Sequence, residues 1–89
     1  MELKQVEKIA KALGDINRLK ILQYMHQHDG RVECMELGNI INLAQPSISH
    51  HIKKLTEAGL IEPQKDGRYY LYTLNQTTWQ EYVQAIQTL

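Results

Sequence analysis

Apolar residues recur along this chain at helical spacing, switch to alternation near residue 60, and return to helical spacing at the end. Leu3, Val6, Ile9, Ala10 and Leu13 predict an amphipathic helix over 2–13, with Lys4, Lys8 and Lys11 on its polar side. Gly14 stops it, and Asp15 is placed to cap a second helix whose buried side is expected to be Ile16, Leu19, Leu22 and Met25, with Ile21. His26 to Gly30 is a turn, and Arg31-Val32-Glu33 a short extended piece. A third helix, roughly Met35 to Ile41, buries Leu37, Ile40 and Ile41 and passes through a tight connection, Asn42-Leu43-Ala44, into a fourth helix over 45–58. Pro46 suits the first turn of that helix, where a missing N–H costs nothing, and Gly59 ends it. Leu60 to Gln64 then reads as extended, Lys65-Asp66-Gly67-Arg68 as a hairpin turn, and Tyr69 to Leu74 as a second strand. A last helix, about 77–89, carries Trp79, Tyr82, Val83, Ile86 and Leu89 on one stripe.

The order is helix, helix, short strand, helix, helix, hairpin, helix. A short helix joined by a tight turn to a longer one is helix-turn-helix, here about 35–58, and the hairpin that follows, about 60–74, is a wing. The expected architecture is mainly α with a small β-hairpin: one winged helix-turn-helix domain over 1–89.

The fourth helix carries the candidate chemistry. Ile48, Ile52 and Leu55 share one face, whereas His50 and Lys53 lie roughly opposite it and Ser49 and Lys54 flank it. A helix with a buried back and a front of hydroxyl, imidazole and ammonium groups suits the DNA major groove, which is about 12 Å wide and admits one helix. Gln45 is a candidate base reader, because its amide can pair with adenine N6 and N7, while Ser47, Ser49 and His50 are better placed to fix register on phosphates. Lys65 and Arg68 at the hairpin tip are candidates for phosphate or minor-groove contact. His51, about 60° from the apolar stripe, is as well suited to internal packing as to DNA.

Charge changes the picture only a little. Ten basic and ten acidic residues sum to zero, which argues against a nonspecific polyanion binder but not against a specific one. A positive strip requires Lys53, Lys54, Lys65 and Arg68 to converge in space. Cys34 is the single cysteine, so no intrachain disulfide exists and a reducing compartment is expected. No signal sequence and no apolar run near the roughly 20 residues of a membrane span are present, so a cytoplasmic protein with no membrane partner is expected. A chain of this length buries only about 60–65% of its unfolded surface, which favours burial against a second copy. Leu3 and Val6 near the start, with Trp79, Tyr82, Val83 and Ile86 near the end, are the candidate dimer residues.

Four segments resemble one family. Ala12-Leu13-Gly14-Asp15-Ile16-Asn17-Arg18-Leu19-Lys20-Ile21-Leu22 is similar to the ALxDPTRLxIL opening of the ArsR/SmtB winged-helix repressors of bacteria. Gln45 to Leu55 resembles their QxxVSHHLKxL reading helix, and Ala58-Gly59-Leu60-Ile61 and Asp66-Gly67-Arg68-Tyr69 resemble their AGLV and xGRxxxY segments. The resemblance covers about residues 5–75. It implies a homodimer built from first and last helices, repressing from a near-palindromic operator, with DNA contacts at Gln45, Ser47, Ser49, His50 and Arg68.

The metal motifs of the family are missing. Where soft-metal sensors carry Cys-x-Cys ahead of an acidic residue and Leu, this chain has Glu33 and Met35, with Cys34 between them. Residues 77–89 hold no histidine, and Glu81 is the only side-chain carboxylate there, so the zinc site of other members is not expected either. No metal and no cofactor are expected. Any inducing signal is left to an unknown small molecule or to oxidation of Cys34. The neighbouring Glu33 and Glu36 carboxylates oppose the thiolate that a redox role needs. His26, His28 and Glu33 form at best a weak zinc set.

Two other classes compare less well with the sequence. A winged helix used only for protein–protein contact accords with the zero net charge. An enzyme would need a nucleophile–base–orienter set, a phosphate-cradling glycine loop or a metal quartet, and the chain shows none of these.

Overall fold

In the computed structural model, residues 1–41, 45–67 and 69–89 are described, and nothing is said of the side chains of residues 45, 46, 66 and 69. Helices α1 (Leu3–Ala12) and α2 (Ile16–Gln27) are followed by β1 (Arg31–Glu33), a 3-10 turn (Cys34–Glu36), α3 (Leu37–Ile40), α4 (Gln45–Glu57), β2 (Ile61–Asp66), β3 (Tyr69–Leu74) and α5 (Gln76–Gln87). The short extended piece after α2 joins the hairpin. The strands form one antiparallel sheet in the order β1-β3-β2, with Val32 opposite Tyr72 and Lys65 opposite Tyr70. Pro63 sits in β2, an edge strand, where the loss of one N–H is tolerated.

The core lies where the helices meet the sheet. Ile9 of α1, Ile21 and Met25 of α2, Val32 of β1, Ile41, Leu55 of α4, Leu60 and Ile61 are fully enclosed. On α1 the inward residues are Val6, Ile9 and Ala12, a 3.6-residue stripe, whereas Leu3 is open to solvent.

One expectation for α2 is corrected. Ile21, Leu22 and Met25 are buried, but Ile16 is 64% exposed and Leu19 44%. At about 100° per residue, the inward arc centred between positions 21 and 22 leaves position 16 on the far side and position 19 near its edge. Apolar residues spread around this helix, so spacing alone did not single out its buried side.

The third helix also begins differently from the expected run from Met35. Glu33 accepts from the Glu36 backbone, and Glu36 Oε1 accepts the Glu33 N–H at 3.0 Å, a reciprocal capping box that starts a 3-10 turn at Cys34. Glu36 is itself held by the Tyr24 hydroxyl. Leu37 and Ile41 are buried and Ile40 half-buried, while Met35 projects into solvent. The connection over 42–44 lies outside the described residues.

Helix α4 ends in a Schellman motif. Gly59 N–H donates to Thr56 O at 3.0 Å and Leu60 N–H to Leu55 O at 3.1 Å, with Gly59 at φ +77° and the Leu55 and Leu60 side chains both enclosed. This motif turns the chain from α4 straight into the wing.

Candidate nucleic-acid interface

Helix α4 presents the two sides that its sequence demands. Ile48, Ile52 and Leu55 are buried, and Ser47, Ser49, His50, Lys53 and Lys54 are exposed. Lys53 Nζ lies 3.9 Å from Glu57 Oε1, a solvent-screened i,i+4 pair that leaves the ammonium accessible. Lys65 is exposed near the end of β2, beside the hairpin tip. Gln45 is the first residue of α4, but its side chain lies outside the described set. Arg68 lies outside the described residues altogether.

His51 belongs to the interior. It is 7% exposed, and its Nδ1 accepts from Arg18 Nη1 at 3.3 Å and stands 3.9 Å from Asp15 Oδ1. Arg18 also donates from Nε to the Ala12 carbonyl at 2.5 Å and from Nη2 to the Lys11 carbonyl at 3.5 Å. It thereby satisfies the Ala12 carbonyl, which the end of α1 leaves without a helical partner, and adds a second donor to the Lys11 carbonyl, which already accepts the Gly14 N–H at 3.2 Å. One side chain fastens the end of α1 to the middle of α4. Asp15 completes the junction: its Oδ1 accepts the Asn17 N–H at 2.8 Å, and that bond, helped by His51 and Arg18, holds its carboxyl below the usual value despite some desolvation.

Two hollows flank α4. On one side Lys8 and Lys11 of α1, Arg18 of α2, and Lys54 and Glu57 of α4 line a basic hollow. The lysines of α1 read as one polar helix face in the sequence; their meeting with Lys54 depends on tertiary packing. On the other side, a cleft between α4 and the wing is lined by Ser49, Lys53, Tyr70 and Tyr72, with Cys34 among its deeper residues. Burial pushes the Tyr72 hydroxyl up to about 12, assisted by the electrostatic influence of the neighbouring Cys34.

The other histidines are used in packing. His28 stacks on Tyr24 with ring centroids 3.8 Å apart and donates to the Tyr24 carbonyl at 2.7 Å, and His26 lies 5.1 Å from the Trp79 ring. The two therefore part company rather than converge with Glu33. Among the described residues, no three His, Cys, Asp or Glu side chains gather as metal ligands would.

Of the six residues singled out for dimerisation, Val6 and Tyr82 are buried inside the subunit. Trp79 and Val83 are half-buried, and Leu3 and Ile86 are exposed. Leu89 adds an exposed apolar side chain beyond the end of α5. Among the described residues, no helix is long and apolar enough to cross a membrane.

A helix-turn-helix whose second helix turns an uncovered polar face outward beside a β-wing defines a DNA-binding transcriptional regulator. A helix-turn-helix domain family matches residues 13–64. The chain is 30% identical over 89 residues to an arsenical resistance operon repressor of Staphylococcus aureus, spanning 100% of this chain and 84% of that protein. It belongs to the ArsR/SmtB family of winged-helix transcriptional regulators. A transcriptional repressor, SdpR of Bacillus subtilis (strain 168), is 33% identical over 73 residues, covering 82% of this chain and 79% of its own length. Among solved structures, an ArsR family transcriptional regulator, RHA00566, superposes with a TM-score of 0.83 at 26% identity over 99% of this chain and 88% of its own. The homodimeric winged helix-turn-helix domain of Mb0332 from Mycobacterium bovis shares the fold, with a TM-score of 0.75 at 24% identity, over 97% of this chain and 81% of its own.

Proposed function

We propose that the protein is a homodimeric repressor that occupies a near-palindromic operator, with α4 of each subunit in successive major grooves. The observation that carries this reading is the division of α4: every described polar residue from Ser47 to Lys54 is exposed except His51, which Arg18 holds from within. Gln45 enters the groove first and reads a base edge, and Ser47, Ser49 and His50 fix the register. Lys53 and Lys54 meet phosphates, and the wing reaches the flanking backbone through Lys65 and Arg68.

Lys8 and Lys11 extend the phosphate track beyond the helix-turn-helix, because their hollow opens beside Lys54. The twofold contact forms from the exposed apolar residues of α1 and α5, chiefly Leu3 and Ile86, with Trp79 and Val83 at its margin. That the similarly folded Mb0332 domain is homodimeric supports a second subunit. Recognition helices related by a twofold axis then meet grooves about 34 Å apart.

The test is an anisotropy titration of labelled duplex from the region upstream of the gene, repeated over a salt series. With roughly three or four phosphate contacts per subunit, log K against log[salt] falls with a slope of about −5 to −7. The Ser49→Ala/His50→Ala double variant loses specific binding while keeping its oligomeric state. A slope near zero, or full binding by that variant, overturns the reading in favour of a protein-docking winged helix.

A further inference from the structure

The cleft on the wing side of α4 has the dimensions and chemistry of a ligand site. Its volume is about 350 Å³, within the range of about 300–1,000 Å³ typical of small-molecule pockets. Leu37 of α3, Ile48 and Ile52 of α4, and Pro63 of β2 supply its apolar lining, together with the rings of two tyrosines of β3. Tyr70 and Tyr72 meet edge to face, with ring centroids 6.3 Å apart at 62°, so the wing side of the slot offers aromatic surface.

The polar groups are the hydroxyls of Ser49, Thr56, Tyr70 and Tyr72, the Cys34 thiol, and the charged ends of Lys53 and Glu57. The Thr56 hydroxyl is committed to the Ile52 carbonyl at 2.7 Å. The Tyr72 hydroxyl, with one donor and two acceptor lone pairs, lies near Cys34 and can serve a bound molecule. Lys53 and Glu57, 3.9 Å apart, give that edge of the cleft one charge of each sign and no net formal charge. A slot with two tyrosine rings, several hydroxyl acceptors and no net formal charge fits a small, uncharged aromatic molecule carrying an N–H or O–H group.

We propose that the cleft between α4 and the wing binds a small neutral aromatic molecule with a hydrogen-bond donor, and that its occupancy competes with DNA. The competition rests on the DNA-binding reading above and follows from shared residues: Ser49 and Lys53 line the cleft and also belong to the exposed face of α4. A molecule filling the slot stands between that face and the wing, where a duplex must pass to touch both. Binding is antagonistic by contact and requires no hinge.

Indole, flat and bearing one N–H, is the probe. Titrated into ¹⁵N-labelled full chain without DNA, it shifts the amide signals of Cys34, Ser49, Thr56, Tyr70 and Tyr72 along one saturating curve. Tyr70→Ala removes an exposed wall without touching the core and weakens indole at least about fivefold, and Cys34→Leu fills the floor and weakens it about tenfold or more. Shifts confined to α1 and α5, absence of saturation, or unchanged affinity in the folded Tyr70→Ala variant overturns the site. In a second arm, indole raises the apparent Kd for duplex in the anisotropy assay. Saturable binding in the cleft with no effect on a bound duplex overturns the competition. Absence of duplex binding in the indole-free control removes the DNA reading while leaving the indole site standing.

Discussion

At the residue scale, two positions show how little material fixes the interface. Gly59 occupies the left-handed region at the end of α4, where a side chain added at its Cα meets only Thr78 Cγ2 at an ordinary 3.9 Å. Space is therefore not the constraint; backbone conformation is. Gly59→Ala is expected to destabilise the fold by about 1–2 kcal/mol in urea unfolding, and Gly59→Asn by less, because Asn tolerates this conformation better. Asp15 sets an acid dependence. Its carboxyl is held below the ordinary value in the fold, so its contribution is full above the unfolded value and fades as pH falls through the lower, folded one. The stability difference between wild type and Asp15→Asn, followed by denaturant melts from pH 7 down to pH 2, should shrink toward the acid end. A gap that stays constant across that range would mean that the charge at Asp15 contributes nothing.

At the scale of elements, helices and strands differed in how openly the sequence announced them. Helix α4 was legible because Ile48, Ile52 and Leu55 keep one strict stripe and the polar residues keep the other. Helix α2 was not, because Ile16 and Leu19 are as apolar as the residues that are actually buried. The role of His51 could not be read from its own helix: the partner that decides it, Arg18, lies 33 residues away. The cleft was hidden for the same reason, since Cys34 meets Tyr72 only through the pairing of β1 with β3. The start of α5 was easier to place. Asn75 accepts the Thr78 N–H at 3.1 Å, and Asn75→Ala is expected to cost about 1 kcal/mol, read as a lowered Tm. The basic hollow gives a sharper test of function than of stability. Lys8→Ala and Lys11→Ala should each flatten the salt slope by about one, and weaken binding alike on specific and nonspecific duplexes. An unchanged slope would confine the phosphate track to α4 and the wing.

At the scale of the whole molecule, the exposed apolar residues on α1 and α5 mark the surface on which a second subunit is expected. Leu3→Glu/Ile86→Glu touches only exposed positions, so the subunit should keep its helical content. Light scattering should then report half the mass of the wild type. The duplex Kd should rise by about a hundredfold or more, as two tethered half-site contacts become independent. A variant of unchanged mass would place the twofold contact elsewhere. The central position of β3 has a consequence for what such a dimer recognises. One edge of that strand carries the wing, and the other carries β1, whose last residue, Glu33, caps the turn that leads into α3. The hairpin is thus no free flap: swinging it outward would drag on the entrance to the helix pair. On the proposed operator reading, accommodation of an ill-shaped groove would then fall to the duplex, and stiff and pliant base steps beyond the reach of any side chain would become part of the operator's address.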